Sequence, residues 1–279
     1  VFTVKEEKLK NQILIVIPAR YASTRFPGKP LIKIAGKEML LRVWENAVKS
    51  IKDLPDCKII VASEDERIAA FCYDYKMEFL MTSDKCKSGS DRVCEVLDSL
   101  SYRPDFIVNL QGDNPMCPPW IIRALLDAFL QNPLLRVVTP VVQMNWQELD
   151  DMRKAKLNTP FSGTCAIADK DMNAVWFSKN IIPAIRPEAA LRQTSDLSPV
   201  LRHIGLYAYS FNTLKSFAKL PESTYERLEG LEQLRFIENG IPIRLVKVDY
   251  KGYGSMSGID SPQDVIKAES LFEKYGEFK

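Results

Sequence analysis

The stretch Ile13-Leu14-Ile15-Val16-Ile17-Pro18-Ala19-Arg20-Tyr21-Ala22-Ser23-Thr24-Arg25-Phe26-Pro27-Gly28-Lys29-Pro30-Leu31 decides how the chain is read. Its first five residues form a short continuous apolar run, the pattern of a strand buried on both faces. A loop follows in which Arg20, Arg25 and Lys29 stand among small residues and turn-formers. Gly28 permits close backbone approach, and Pro27 and Pro30 stiffen the turn. Guanidinium groups hold phosphate oxygens bidentately and an ammonium adds a compact charge, so three cations beyond a buried strand suit a polyphosphate. The spacing is not that of a Walker loop, because G-x-x-x-x-G-K-[ST] is absent.

Working outward, strand-like and helix-like segments alternate. Strands are expected at 13–18, 58–63, 78–82, 106–110 and 137–142. Helices are expected at 37–50, 64–75, 90–100 and 118–131. This βαβα order predicts an α/β fold, a mostly parallel, doubly wound sheet with helices on both faces. Ligands on such sheets bind beyond the carboxyl ends of the strands, where both the Arg20–Lys29 loop and Gln111-Gly112-Asp113 fall. The order breaks after about residue 143. Residues 161–168, 174–177 and 203–209 read as strands, 184–200 as a long loop, 228–238 as a helix, 243–248 as a strand and 261–275 as a final helix. The expected division is a nucleotide-binding core of 13–143 plus 240–275, a smaller mixed, β-rich lobe of 144–239, and a polar tail of 1–12.

A net charge of +2 supplies no bulk attraction for nucleic acid or an anionic membrane. The six cysteines form no C-x-x-C pair and the chain has one histidine, His203, so a cysteine/histidine zinc site is not expected. No apolar run reaches the roughly 18 residues of a membrane span, and no apolar leader precedes the first strand. Reduced cysteines and a cytoplasmic location are the expectation.

Four further motifs accompany the loop: Ser88-Gly89-Ser90-Asp91-Arg92, Gln111-Gly112-Asp113, Arg202-His203-Ile204-Gly205-Leu206-Tyr207 with Leu231-Glu232-Gln233-Leu234-Arg235, and Gly258-Ile259-Asp260-Ser261-Pro262-Gln263-Asp264. Each has a plain structural reading. Asp113 suits a turn, Ser90 or Asp260 a helix cap, and His203 a satisfied position on an apolar strand. Taken together and in this order, over residues 13–275, they resemble the 3-deoxy-manno-octulosonate (Kdo) cytidylyltransferase family, whose fold is of the nucleotide-diphospho-sugar transferase type.

The resemblance implies a Mg²⁺-dependent nucleotidyltransferase that joins CTP to an acidic 3-deoxy sugar and releases pyrophosphate, in lipopolysaccharide synthesis. It implies catalytic roles for Arg20, Arg25, Lys29 and Asp113. Nucleotide contacts would come from Ala19, Arg20, Ser23, Thr24, Lys29, Ser88, Gly89, Arg92 and Gln111. Sugar contacts would come from Gln111, His203, Tyr207, Glu232 and Gln233. Mg²⁺ would be held by Asp113 and Asp260, and the second lobe would bind sugar and form a homodimer. Arg202 and Arg235 are open between the sugar carboxylate and a subunit contact, and Asp91 and Arg92 between a structural pair and the ligand. Asn114 stands where the family usually has Glu, Cys86-Lys87 where it has His-Gln, and Ser162-Gly163-Thr164-Cys165 where it has a Val-Lys-Val stretch. These departures point to a Kdo variant, such as 8-amino-Kdo, as the sugar. The alternatives are another acid sugar of the sialic-acid kind, or a nucleotide-binding regulator without turnover.

Overall fold

The computed structural model describes residues 12–22, 26–86, 88–254 and 258–278. In chain order the elements are β1 (Ile13–Pro18), β2 (Lys33–Ile34), β3 (Lys37–Glu38), α1 (Met39–Ser50), β4 (Cys57–Ser63), α2 (Glu66–Asp74), β5 (Phe79–Met81), α3 (Gly89–Ser99), β6 (Phe106–Asn109), α4 (Pro119–Gln131) and β7 (Val137–Asn145). They continue as α5 (Trp146–Lys156), β8 (Thr164–Ala168), β9 (Ala174–Ser178), α6 (Glu188–Thr194), β10 (Leu197–His203), β11 (Tyr207–Ser210), α7 (Phe211–Phe217), α8 (Thr224–Glu229), α9 (Leu234–Glu238), β12 (Ile243–Lys247) and α10 (Pro262–Tyr275).

β1 lies between β4 and β6, both parallel to it, and β5 extends the parallel half beyond β4. All six residues of β1 are buried. Ile13, Ile15 and Ile17 pack on one face with Leu40 and Val43 of α1 and Ile121 and Leu125 of α4. Leu14 and Val16 pack on the other with Val93 and Val96 of α3. Burying a large aliphatic side chain is worth about 1.5–3 kcal/mol, while strand propensities span only about 1 kcal/mol. Burial on both faces therefore fixes this segment as the central strand.

The β-rich second half pairs onto the same sheet. β11 runs antiparallel between β6 and β7, and β10 runs antiparallel between β7 and β8. β10 and β11 thus follow one another along the same edge of β7. The strand expected over 203–209 is broken at 204–206, where Ile204 N–H makes a last bond to β7, to Pro140 O at 3.1 Å, and proline has no N–H to return it. At that break the sheet passes from β6 to β8 as neighbour, so the end of β6 and the start of β8 flank a gap. β12 returns the chain to the sheet, parallel to β7, as the apolar run at 243–248 predicts.

The loop expected at 184–200 contains α6 and most of β10. Glu188 accepts from Arg153 and Arg192, and Arg192 also reaches Asp150 at 2.7 Å. The Arg192 guanidinium lies over Trp146, and Leu191 packs on the Trp146–Leu149 cluster. These partners come from α5, so the short helix carries no period of its own. The helix expected at 228–238 is two, α8 and α9, divided at Gly230 with φ 63°. Among the described residues no helix is long and apolar enough to cross a membrane. The six cysteines are free thiols, with Cys57 half-buried and the others buried.

Candidate active site

The loop after β1 is closed by a hydrogen bond from Gly28 N–H to Tyr21 O at 2.9 Å. Gly28 has φ 73°, a left-handed conformation in which a side chain is strained, and it turns the backbone into a short 3-10 segment beginning at Lys29. Ser23, Thr24 and Arg25 lie outside the described residues, as does Lys87.

The Gln111-Gly112-Asp113 loop is stitched to the end of β1. Leu110 N–H donates to Val16 O at 3.0 Å and Gly112 N–H to Pro18 O at 3.1 Å. The late motif arrives at the same place, with Ile259 N–H on Asp113 O at 2.8 Å. Lys29 joins all three segments. Its Nζ donates to Asp113 Oδ2 at 2.7 Å, to Ile259 O at 3.0 Å and to Asp260 Oδ1 at 3.1 Å. Burial works against the Lys29 charge, but Asp113, with Asp260, outweighs it and holds the pKa above the ordinary lysine value. Asp260 does not cap α10. Ser261 does, in a capping box with Asp264, because its hydroxyl takes the cap position one residue later and leaves the Asp260 carboxylate to Lys29.

The cap of α3 is likewise shifted. Ser88, not Ser90, accepts from Asp91 N–H, and Asp91 returns the bond to Ser88 N–H. Ser90 Oγ is then free to donate to Glu232 Oε1 at 2.6 Å. Gln111 Nε2 donates to Asn109 Oδ1 at 2.8 Å, and a Cβ on Gly89 would lie only 2.7 Å from Gln111 Nε2. Gly89 thus lets α3 begin directly against Gln111. Arg92 is almost wholly buried, with Nη2 2.7 Å from Glu64 Oε2.

Two cavities meet at Gln111 and Asp113. The smaller, of about 360 Å³, is walled by Ala19, Arg20, Lys29, Gly89, Arg92 and Asp260 together with those two residues. The larger, of about 690 Å³, occupies the gap at the β10–β11 break and is walled by Arg202, His203, Tyr207 and Gln233. Gln233 Nε2 and Asn114 Oδ1 are buried without a hydrogen-bond partner among the described residues, and both residues line this larger cavity. Unpaired buried polar atoms are costly, so two of them in one cavity wall mark a place built for a polar ligand. Burial, with the Lys179 ammonium adding to it, pushes the His203 pKa down to about 3, so its imidazole is neutral.

The structure therefore brings together most of the expected residues it describes. Ser88 sits behind the wall as a cap. Glu232 lies outside both walls; burial raises its pKa, and its carboxylate is tied to Ser90. Arg235 also lies outside them, its Nε donating to Glu226 Oε2 at 2.7 Å. Sequence reasoning missed Lys179, Lys267, Glu148 and Asp151, which line the larger cavity. Only Lys179 carried a signal, a cation directly after a short apolar strand, much as Arg20 stands two residues beyond β1. Two of the three family departures line the same cavity: Asn114, and Ser162-Gly163-Thr164 of the 162–165 stretch.

Among the described residues no group of three or more His, Cys, Asp or Glu side chains gathers around one point. Asp113 and Asp260 do converge, since both carboxylates touch one ammonium. Mg²⁺ is held by one or two carboxylates together with phosphate oxygens and waters, and this pair fits that donor set.

A family model described as cytidylyltransferase matches residues 14–246. A 3-deoxy-manno-octulosonate cytidylyltransferase of Maricaulis maris is 39% identical over 266 residues, covering 95% of this chain and 98% of the relative. That of Syntrophotalea carbinolica is 38% identical, covering 92% and 97%. A solved CMP:2-keto-3-deoxy-manno-octonic acid synthetase complexed with CTP superimposes with a TM-score of 0.79 at 32% identity, covering 94% of this chain and 99% of that one. These likenesses extend along nearly the whole chain, which belongs to the 3-deoxy-manno-octulosonate cytidylyltransferase family.

Proposed function

We propose that the chain transfers the cytidylyl group of CTP to the anomeric hydroxyl of Kdo, or of a Kdo variant such as 8-amino-Kdo, with release of pyrophosphate. The observation that carries this reading is the junction of two cavities at Gln111 and Asp113, one walled by the cations Arg20, Lys29 and Arg92 and one by Arg202, His203, Tyr207 and Gln233. The triphosphate belongs in the smaller cavity, against Arg20 and Lys29. The acid sugar belongs in the larger, where Arg202, Lys179 and Lys267 match its carboxylate.

In the reaction the anomeric hydroxyl loses its proton to water, its oxygen bonds to the α-phosphorus, and the bond from that phosphorus to the bridging oxygen breaks. Negative charge grows on the pyrophosphate oxygens as it leaves. Lys29 spends its three ammonium protons on Asp113, Ile259 and Asp260, so it acts on that charge as a fixed positive centre, and a direct bond to a phosphate oxygen requires it to give up one of these partners. The two cavities hold the reactants on either side of Asp113, which replaces a bimolecular encounter by a positioned one. Mg²⁺, held by Asp113 and Asp260, would neutralise the phosphate charge when bound. The family suggests a cytoplasmic homodimer serving lipopolysaccharide synthesis, and both are part of the proposal.

The amino-sugar variant has an observation of its own. Glu148 and Asp151 line the larger cavity alongside the neutral Asn114, a wall suited to an ammonium group. The test is pyrophosphate release by purified protein with CTP, Mg²⁺ and a panel of acid sugars including Kdo and 8-amino-Kdo. Release with Kdo or its amino analogue supports the reading. Release only with a sialic-acid-like sugar, or CTP binding with no release from any sugar, overturns it.

A further inference from the structure

The larger cavity contains a hydrogen-bond arrangement that determines which end of His203 can meet a ligand. Thr139 is a fully buried residue of β7, on the strand that passes beneath the β10–β11 break. Its Oγ1 lies 2.8 Å from Leu206 O, 3.4 Å from Ile204 O and 2.7 Å from His203 Nε2. Both carbonyl oxygens can only accept, and the hydroxyl has a single proton. If that proton pointed at His203, Leu206 O would face the threonine oxygen at 2.8 Å with no hydrogen between them. With the proton on Leu206 O, Thr139 accepts from His203, and the ring must carry its proton on Nε2. Phe177 and Tyr207 flank the ring, with centroids 5.1 and 5.4 Å away. Nδ1 has no hydrogen-bond partner among the described residues, and His203 lines the larger cavity.

We propose that Thr139 is a positioning residue that holds His203 in its Nε2–H tautomer, so that Nδ1 accepts a hydrogen bond from a hydroxyl or amine of the bound acid sugar. The low basicity of the ring agrees with this geometry. A neutral imidazole reads a donor, whereas an imidazolium would read the carboxylate, a task left to Arg202, Lys179 and Lys267. The second half of the proposal rests on the reading of the larger cavity as the sugar site.

His203 is the single histidine of the chain, so its ring nitrogens are observable without assignment. Long-range proton–nitrogen correlation on the wild-type protein labelled at histidine, at neutral pH, reads the tautomer directly. A protonated Nε2 with a bare Nδ1 is expected, and saturating Kdo should move the Nδ1 resonance more than that of Nε2. Thr139→Val should weaken the tautomer preference and raise KM for Kdo about tenfold, the loss of one hydrogen bond, with KM for CTP within about twofold. Thr139→Ser should restore both. A proton on Nδ1, or an imidazolium, in the ligand-free wild type overturns the proposal whether or not any variant folds. An unmoved Nδ1 at saturating Kdo, in protein that turns Kdo over, overturns the acceptor role. Failure of pyrophosphate release with both Kdo and 8-amino-Kdo instead removes the sugar reading, while the ligand-free spectrum still decides the Thr139–His203 relation.

Discussion

Lys29 Nζ lies 2.7 Å from Asp113 Oδ2, although 84 positions separate them in the chain. Lys29 follows the central strand β1, Asp113 follows its neighbour β6, and parallel pairing brings both loops to one sheet edge. The ammonium thus holds in place the carboxylate that faces both cavities.

Replacing either carboxylate should separate chemistry from folding. Asp113→Asn and Asp260→Asn keep side-chain volume, and both positions are at least partly exposed, with side chains 32% and 53% accessible. Circular dichroism and thermal melting should stay near wild type while pyrophosphate release is lost. Near-normal release from either variant removes that residue from the metal site.

Lys29→Ala should lower kcat by about 10²–10³-fold, the usual cost of one preorganised charge donor, and weaken CTP binding much less. A loss confined to CTP affinity would make Lys29 a ground-state anchor. Because its pKa is raised, its charge is complete below the ordinary lysine value near 10.5 and is lost only above it. No activity change assignable to Lys29 should occur from pH 6 to 9.

Two glycines in the site have no room for a side chain, for different reasons. A Cβ on Gly112 would stand 2.9 Å from the backbone oxygen of Pro18, which cannot move without opening the β1 edge. Gly112→Ala should cost about 1–3 kcal/mol of stability, seen in denaturant titration. At Gly89 the obstacle is the Gln111 amide, a side chain that can swing away. Gly89→Ala should melt near wild type but impair turnover, because displaced Gln111 intrudes on both cavities.

The depressed His203 pKa gives a defined acid limit. Above about pH 6.5, histidine is neutral in both folded and unfolded chains. As the pH falls from 6.5 towards about 3, the unfolded chain binds a proton that the folded ring refuses, so stability is lost over that window. Denaturation midpoints of wild type and His203→Gln, compared from pH 7 to 4, should converge as the pH falls. Parallel curves would place the titration elsewhere.

Legibility in the sequence followed the source of each element's stability. β1 and β6 read correctly because burial on both faces leaves a short continuous apolar run, and β7 because Val137, Val138, Val141 and Val142 flank its Thr139-Pro140 centre. Among the helices, α5 was overlooked because its Asp, Glu, Arg and Lys residues leave only a weak apolar stripe around Trp146 and Leu149. α6 was hidden because Arg153 and Trp146 of that same helix hold it in place. The caps of α3 and α10 each fell two residues or one from the expected position, since Ser-x-x-Asp boxes leave several local solutions that differ little in energy. The motifs supplied residues to both cavities, but Glu232 bonds Ser90, a contact that α3 and the segment before α9 create only by packing together.

Residue order and type were enough to establish the parallel half of the sheet, the cationic loop and the family, because each depends on local periodicity or on short motifs. The convergence of Lys29, Asp113 and Asp260, the break between β10 and β11 that opens the larger cavity, and the bond from Thr139 to His203 came only with the tertiary structure. Each joins atoms from distant segments at hydrogen-bond distance, and that spacing is set by how strands pair and helices pack rather than by any run of neighbouring residues.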